Sequence, residues 1–263
     1  MNNATFFFNQ PKNEPVFSYA KGSKERDLLS KELEKQYNQC IEIPIIINGK
    51  EIRTGNVSEV VMPTEHSHVL AKFHKADKET VQKAIEAALE ARKKWENVHW
   101  IDRCSIMLRA AELLAGKYRY VINAATMLGQ GKNPFQAEID SACETIDFLR
   151  FNVHYASKIY AQQPLSDNSA INRLEYRGLE GFVYAISPFN FTSIACNLNI
   201  SPVLMGNVTV WKPATTAVLS NYYLMKILQE AGVPDGVINF VPGDGSVISD
   251  VCFSSKDLAG VHF

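Results

Sequence analysis

The feature that most constrains the fold is a regular alternation of apolar strands and amphipathic helices in the last third of the chain. Short apolar runs are separated by segments with helical spacing, and the connections between them are brief. This alternation is typical of an α/β unit, in which helices join the strands of a parallel sheet. The sequence therefore predicts strands over residues 181–186, 208–211, 237–241 and 258–263, with helices over residues 192–204 and 217–230 between them.

The first two thirds of the chain are predicted to be mainly helical. Asn48-Gly49 lies between two β-rich runs, and this pair favours a type I′ hairpin because both residues tolerate positive φ. Residues 162–172 hold Pro, Ser, Asp and Asn, and they are predicted to form a loop or a partly solvated hairpin. Apolar residues at helical spacing predict helices over residues 24–37, 77–97, 101–116 and 135–160, the second of them capped by Asp77.

Composition limits the classes of function. The 263 residues include 27 basic and 28 acidic side chains, which give a formal net charge of -1. Because a domain has about 150 residues on average, a chain of this length is expected to form two domains or one large one. The balanced charge argues against nucleic-acid binding or anionic-membrane binding as the main activity. No apolar run approaches the roughly 18 residues of a membrane span, so no membrane partner is expected.

The cysteines and histidines indicate neither a disulfide framework nor a metal site. The five cysteines are widely spaced and form no Cys-x-x-Cys pair, so we expect free thiols in a reducing, intracellular compartment. The N-terminus has no secretory signal pattern. His66 and His68 form a close pair with His74 nearby, but no clear set of metal ligands accompanies them, and no metal is predicted.

Three segments follow predicted strands and therefore share one edge of the predicted sheet. They are residues 187–190, 212–215 and 243–245. In open α/β sheets, ligands bind outside the carboxyl ends of the strands and at helix N-termini. The order of elements thus predicts a nucleotide-like ligand at this edge, although neither a Gly-x-Gly-x-x-Gly fingerprint nor a phosphate-binding loop of the Walker type is present.

The same three segments resemble motifs of the aldehyde dehydrogenase superfamily. Ile-Ser-Pro-Phe-Asn-Phe at residues 186–191 resembles its Pro-aromatic-Asn strand end, and Trp-Lys-Pro-Ala at residues 211–214 resembles its lysine motif. Residues 231–245 resemble the next helix-to-strand turn. Runs at residues 13–16, 136–140 and 176–183 are similar to the branch that oxidises glutamate semialdehyde, the pyrroline-5-carboxylate dehydrogenases. The resemblance extends from about residue 13 to residue 263.

The resemblance implies catalytic and substrate-binding roles for three residues. Asn190 would donate its side-chain amide to the carbonyl oxygen of the aldehyde, where negative charge develops. Phe191 would line the aldehyde pocket, with core packing as the competing role. Glu144 could lie near the aldehyde, although a solvated helix surface is the commoner setting for a helical Glu.

The resemblance also implies a cofactor site for NAD. Lys212 would bind the hydroxyl groups of the adenine ribose, Ser187 would touch the cofactor, and Gly245 would let the backbone approach its adenosine half. Their competing roles are a solvated lysine, a Ser-Pro turn and a turn glycine. Many relatives carry an acidic residue at the position of Thr215 and a glycine at that of Ser249. The preference for NAD over NADP therefore follows from the branch and not from Thr215.

The implied activity is NAD-dependent oxidation of L-glutamate 5-semialdehyde to glutamate in proline catabolism. The family uses a cysteine nucleophile, which forms a thiohemiacetal, and a glutamate base, and both are expected beyond Phe263. Cys196 lies nearest to the site in sequence, and we expect it to serve in packing. This chain alone is therefore predicted to be inactive. Two alternatives stay open: a non-catalytic truncated interaction subunit, or another aldehyde dehydrogenase.

The expected fold class is α/β. It comprises an incomplete Rossmann-like parallel sheet with flanking helices, preceded by a helical region and a β-hairpin. Residues 1–42 would be an N-terminal extension, and residues 43–263 the N-terminal part of the NAD-binding domain with oligomerisation hairpins; the catalytic domain would be absent. By resemblance, the full-length form would be a homo-oligomer that acts on a small aldehyde. It would lie in the mitochondrial matrix in a eukaryote and in the cytoplasm otherwise.

Overall fold

The computed structural model describes residues 7–263 and has a mixed α/β architecture. The helices are α1 (Lys24–Tyr37), α2 (Lys78–Trp95), α3 (Trp100–Ala115), α4 (Arg119–Gln130), α5 (Pro134–Ala137), α6 (Glu144–Ala161), α7 (Thr192–Leu204), α8 (Val218–Ala231) and α9 (Gly245–Ser254). The strands are β1 (Ile41–Ile43), β2 (Ile45–Ile47), β3 (Lys50–Ile52), β4 (Val57–Met62), β5 (Glu65–His74), β6 (Phe182–Ile186), β7 (Thr209–Lys212), β8 (Ile238–Phe240) and β9 (Leu258–His262). The predicted α/β class is confirmed.

The larger sheet has six strands in the order β3-β2-β8-β7-β6-β9. Strands β8, β7, β6 and β9 are mutually parallel, and β2 adds to the edge of β8 in the antiparallel direction. Phe182, Val183, Tyr184 and Ala185 are consecutive in β6, and all four are buried. Because side chains alternate between the two faces of a strand, both faces of the sheet are covered at this point.

The chain reverses its direction of travel across the sheet at β6. It passes from β6 to β7 to β8 on one side and then returns to place β9 on the other side of β6. Such a reversal is a topological switch point, and the crevice outside the carboxyl ends of the strands there is the usual ligand site of open α/β sheets. The segment that begins at Ser187 leaves β6 at this crevice.

The predicted hairpin forms and borders the parallel sheet. Asn48 and Gly49 adopt φ values of 50° and 73°, as a type I′ turn requires, and they join β2 to β3. Asn48 N donates to the buried Asn239 Oδ1 at 3.0 Å, which ties the turn to β8. The hairpin predicted from Asn48 and Gly49 therefore forms one edge of the six-stranded sheet.

Two further elements were not expected from the sequence. Strands β4 and β5 form an antiparallel pair, which combines with β1 in a second sheet of order β1-β5-β4. Helix α4 covers Arg119–Gln130, where the sequence predicted only chain breaks near Gly129 and Gly131. It contacts α1 on one side and α8 on another. Strand β1 crosses the predicted boundary at residue 42, and residues 1–6 of the predicted extension lie outside the described part.

The long helix predicted over residues 135–160 is present, but one turn of it is wider than an α-helical turn. Helices α5 and α6 are joined without a break by a π-helical turn, Glu138–Cys143. Such turns in α-helices often lie at functional sites. This turn places Glu138 and Asp140, both buried, on different sides of the helix.

Glu138 anchors the N-terminal segment. Its carboxylate accepts hydrogen bonds from Phe17 N at 2.9 Å and Tyr19 Oη at 2.6 Å, and it forms a buried ion pair with Arg119. Arg119 also contacts Glu14. These contacts join residues 14–19 to α4 and to the π turn, so the N-terminal segment is an integral part of the fold.

Residues 162–181, between α6 and β6, contain no regular helix or strand. Gln163 and Leu174 face each other through side-chain-to-backbone hydrogen bonds, and Asp167 N donates to Ala170 O at 3.1 Å. The segment therefore folds back on itself without a backbone ladder, which agrees with the predicted loop. Leu165 and Ile171 are 91% and 77% exposed on it.

Candidate functional site

The carboxyl ends of β6 and β7 are tied together at Ser187. Ser187 N donates to Lys212 O at 3.1 Å, and the indole nitrogen of Trp211 donates to Ser187 Oγ at 2.5 Å. Trp211 is fully buried and Ser187 nearly so. The Ser187 side chain therefore has a structural role at the strand end, and it lies at the edge where the sequence predicted the cofactor.

Lys212 is a half-buried cation at the end of β7. Among residues 7–263, no group hydrogen-bonds to its ammonium or forms a salt bridge with it. Burial lowers the pKa of Lys212, and the nearby Asp244 offsets part of this effect. An ammonium group that loses hydration without gaining a partner is costly, so its position favours a ligand with oxygen acceptors.

Gly245 is the first residue of α9 and lies beside Lys212. A Cβ atom at Gly245 would be 3.9 Å from Lys212 Cε, the nearest heavy atom outside its own chain neighbours. Asp244, the N-cap residue, makes no side-chain capping bond. The open N-terminus of α9 and the Lys212 ammonium thus offer donors for an anionic or hydroxyl-rich ligand, which fits a dinucleotide.

Asn190 lies in an exposed bend after β6, and Phe191 follows it directly before α7. In the described structure, the Asn190 side chain makes no hydrogen bond, so its amide is available to a ligand. Phe191 is 36% exposed, and Lys132 Nζ lies 4.1 Å from the centre of its ring. An available amide donor beside a partly exposed aromatic ring can bind a polar group attached to an apolar chain.

Glu144 approaches the same bend from the long helix. Its Oε2 accepts a hydrogen bond from Ser193 Oγ at 2.8 Å, and Ser193 lies two residues after Phe191. The structure therefore brings Glu144, Asn190 and Phe191 to one region, although 46 residues separate Glu144 from Asn190 in sequence. Direct contact of these residues with a substrate stays a prediction.

Two residues near the bend were not assigned a role from the sequence. Asp140 lies 2% exposed beneath the first turn of α7, and Lys132 Nζ donates to its Oδ2 at 2.6 Å. Asp140 precedes Glu144 by four residues, which places both on one side of a helix. This four-residue spacing could have indicated from the sequence that Asp140 and Glu144 act together. The helix that Asp140 contacts, α7, begins about fifty residues later, and the sequence gives no indication of that contact.

None of the five cysteines lies at this bend. Cys196 is fully buried in α7, as expected for packing. Burial raises the pKa of the Cys104, Cys143, Cys196 and Cys252 thiols to about 12, so their thiolates are scarce at neutral pH. Within residues 7–263, no three His, Cys, Asp or Glu side chains cluster in a way that could hold a metal ion.

The fold and the site together define an α/β protein with a ligand crevice at a topological switch point. The chain belongs to the aldehyde dehydrogenase family, whose model matches residues 51–263. The resemblance found in the sequence is thereby confirmed.

Similar proteins narrow the comparison to one branch. The chain is 52% identical over 262 residues to delta-1-pyrroline-5-carboxylate dehydrogenase of Agaricus bisporus, which covers 99% of this chain and 48% of that protein. It is 50% identical over 251 residues to the mitochondrial delta-1-pyrroline-5-carboxylate dehydrogenase of Homo sapiens. That match covers 95% of this chain and 45% of the human protein. The chain thus spans about half the length of the curated relatives it matches.

A solved structure agrees over the whole chain. The delta-pyrroline-5-carboxylate dehydrogenase of Mycobacterium tuberculosis, bound with NAD, superimposes with a TM-score of 0.97 at 47% identity. The match covers 100% of this chain and 49% of that one.

In the part of this chain that the structure describes, no helix is both long enough and apolar enough to cross a membrane.

Proposed function

We propose that this chain forms the cofactor-side half of an enzyme that uses NAD to oxidise L-glutamate 5-semialdehyde, the open form of pyrroline-5-carboxylate, to glutamate in proline catabolism. The observation that supports the proposal is that Asn190 follows β6 and Lys212 ends β7, two neighbouring parallel strands at the switch point, and that Gly245 lies beside Lys212. The near 50% identity to delta-1-pyrroline-5-carboxylate dehydrogenases over almost the whole chain supports the choice of substrate.

Three residues would hold the cofactor. The Lys212 ammonium, which has no partner in the described structure, would donate to ribose hydroxyl groups, and the bare Gly245 backbone would allow close approach. Ser187 would fix the strand end against which the cofactor lies. NAD, when bound, supplies the acceptor for the hydride that leaves the aldehyde carbon.

Asn190 would act on the substrate itself. Its amide would donate a hydrogen bond to the aldehyde oxygen as negative charge builds there, and a fixed donor stabilises that charge more than mobile water does. The partly exposed ring of Phe191 would form one wall of the apolar part of the pocket. Glu144 would provide a carboxylate nearby, held in place by Ser193.

The nucleophile and the general base would come from a part of the protein that this chain does not include. The family chemistry uses a cysteine thiolate to attack the aldehyde and a glutamate to activate water for release of the acid. The four buried thiols of this chain are unsuited to that role, and Cys40 is in the segment between α1 and β1, which is not one of the strand ends assigned to the site. We therefore expect the 263-residue chain alone to bind NAD without turnover.

The same proposal includes self-association and a location. The apolar side chains of Leu165 and Ile171 are exposed on the segment 162–181 and would suit a homo-oligomer interface in the full-length protein. Residues 43–263 would be the cofactor-binding part, and residues 1–42 an extension anchored through Glu14 and Tyr19.

The location would be the mitochondrial matrix if the source is eukaryotic, since the names of two relatives call those proteins mitochondrial.

The test compares the 263-residue chain with the full gene product that contains it. We expect glutamate semialdehyde-dependent NADH formation by the full product and NAD binding alone by the chain. Asn190→Ala in the full product should lower kcat by about 100- to 1000-fold, as loss of one oxyanion donor does elsewhere. Asn97→Ala is the matched control and should leave kcat unchanged, because that exposed amide bonds only to Lys93 O at the end of α2.

Two outcomes would contradict the proposal. One is a full product that forms no NADH with this aldehyde but does so with another, which would indicate a different aldehyde dehydrogenase. The other is a native protein of only 29.5 kDa with no longer form, which would favour a non-catalytic subunit. Turnover by the chain alone would overturn the expectation of inactivity.

A further inference from the structure

Asp140 holds the first turn of α7, the helix that follows Asn190 and Phe191. Phe191 is the N-cap residue and offers no side-chain acceptor. The backbone nitrogens of Thr192 and Ser193 instead face the Asp140 carboxylate at 3.4 Å and 3.5 Å. These distances are long for hydrogen bonds, so the carboxylate acts mainly through its charge at the positive end of the helix.

Asp140 also fixes what lies against the Phe191 ring. Lys132 Nζ donates to Asp140 Oδ2 at 2.6 Å and lies 4.1 Å from the ring centre. A cation over an aromatic face is attracted by the ring. One buried carboxylate therefore holds both the cation that contacts the ring and the helical turn that follows it.

Ser193 connects Asp140 with Glu144. Its Oγ lies 3.2 Å from Asp140 Oδ1 and 2.8 Å from Glu144 Oε2. A hydroxyl has one proton and can donate to only one carboxylate at a time, and the shorter distance favours Glu144. Lys132 and the two backbone N–H groups then remain for Asp140.

The π turn determines that Asp140 can make these contacts. Glu138, two residues earlier, faces the opposite side and is anchored by Arg119 and Tyr19. Asp140 and Glu144, four residues apart, face α7 together. The anchoring of Glu138 therefore fixes the orientation of the helix side that carries both carboxylates.

We propose that Asp140 is a positioning residue, which sets the orientation of Asn190 and Phe191 by holding the first turn of α7 and Lys132. This inference rests on the function proposed above. Asp140 touches neither substrate nor cofactor in this scheme and acts only through the bend. Its loss should therefore impair the chemical step more than the binding of NAD, because Lys212 and Gly245 lie on other strands and helices.

The test compares Asp140→Asn with Asp147→Asn in the full gene product. Asp147 lies on the same long helix and loses the same charge, but its carboxylate accepts from Asn13 Nδ2 and Glu14 N, away from α7. We expect Asp140→Asn to lower kcat by about 10- to 100-fold, because displacement of a reacting group by 1 Å can cost about 100-fold. The dissociation constant of NAD should be unchanged, and Asp147→Asn should match the wild type in both.

A second variant and a second measurement keep the test decisive if Asp140→Asn folds poorly. Ser193→Ala removes only the shared hydroxyl and should lower kcat/KM for the aldehyde by a smaller factor. Hydrogen exchange of residues 190–195 requires no turnover: Asp140→Asn should accelerate it, and Asp147→Asn should not. Equal kcat in the two Asn variants, or equal exchange at the bend, would overturn the positioning role. If the wild type is inactive but Asp140→Asn still accelerates hydrogen exchange at residues 190–195, the proposed function is contradicted and the positioning role of Asp140 is not.

Discussion

Trp211 and Ser187 join the ends of two neighbouring parallel strands, because the buried indole N–H donates to the Ser187 hydroxyl at 2.5 Å. The bond satisfies the one polar group of the largest side chain in β7. It also holds the segment that leads to Asn190 against the strand that ends at Lys212. Ser187, which was predicted to touch the cofactor, thus makes a buried contact within the fold itself.

Replacing Ser187 by alanine should therefore destabilise the chain. The buried indole N–H would lose its partner, which costs about 1–3 kcal/mol when no other acceptor replaces it. Urea unfolding followed by tryptophan fluorescence measures the free energy of unfolding. Ser105→Ala is the control, since that exposed hydroxyl bonds only within its own helix, and it should change stability by less than about 0.5 kcal/mol. Equal effects of the two substitutions would contradict the structural role.

Lys212→Met should weaken NAD binding and at the same time stabilise the chain. Burial lowers the pKa of Lys212, so the folded state binds this proton less tightly than the unfolded state. The cost of the buried ammonium is full below the folded pKa and disappears as pH rises toward the ordinary value of 10.5. The stability advantage of Lys212→Met should therefore shrink between neutral and alkaline pH.

Isothermal titration with NAD and urea unfolding at several pH values test both statements. Lys226→Met is the matched control, because the Lys226 side chain is 42% exposed and its ion pair with Glu51 is long, at 3.9 Å. It should change neither NAD affinity nor the pH dependence of stability. A Lys212→Met chain that is less stable than the wild type at neutral pH would show that the ammonium has a partner in the fold.

Gly245→Ala separates cofactor approach from protein packing. The added methyl group would meet no protein atom closer than Lys212 Cε at 3.9 Å, an ordinary contact. Stability should therefore be unchanged or rise by about 0.4–1 kcal/mol, since Gly-to-Ala replacement reduces the entropy of the unfolded chain. NAD affinity should fall if the cofactor packs against this backbone.

The control for that substitution is Gly260→Ala, where a Cβ atom would also have open space. Gly260 lies on β9, which is not among the strand ends assigned to the cofactor. Unchanged NAD affinity in Gly245→Ala would show that the cofactor does not approach this glycine.

The sequence predicted the parallel sheet well because β6, β7 and β8 are short, buried, apolar runs, and segments of helical length with brief connections separate them. Helix α4 was missed for the opposite reason: its buried side includes Arg119, Asn123 and Thr126, whose burial depends on distant partners. The β4–β5 hairpin was missed because much of it is exposed and polar, including His66.

The candidate site shows the same limit. Asn190, Lys212 and Gly245 could be proposed because each follows a predicted strand and matches a family motif. Asp140 could not, because its role comes from the first turn of a helix about fifty residues later. Local spacing identifies residues that share one element, whereas contacts between elements need the fold itself.

Glu138→Gln should destabilise the chain strongly. Burial alone would raise the pKa of Glu138, but hydrogen bonds from Arg119, Tyr19 and the Phe17 N–H outweigh it, so this pKa lies below its ordinary value. Removing one partner of a buried ion pair leaves the other charge uncompensated, which costs about 3–5 kcal/mol. The measurement is urea unfolding at neutral pH, with the exposed Glu112→Gln as control.

The lowered pKa of Glu138 also predicts an acid dependence of stability. Its contribution is present above the ordinary value of 4.5 and is lost as pH falls through the folded pKa. The difference in unfolding free energy between wild type and Glu138→Gln should therefore shrink in acid. A difference that stays constant with pH would show that the carboxylate charge does not stabilise the fold.

The native chain should react with a thiol reagent at one cysteine only, Cys40. Cys40 is exposed, whereas Cys104, Cys143, Cys196 and Cys252 are buried and burial raises the pKa of each thiol to about 12. Because the thiolate is the reactive form, these four should be labelled only after unfolding. Mass spectrometry of the alkylated chain counts the modified residues, and Cys40→Ser should show no native labelling. Rapid labelling of Cys196, the cysteine nearest in sequence to Asn190, would contradict both its burial and the proposal that the nucleophile comes from another part of the protein.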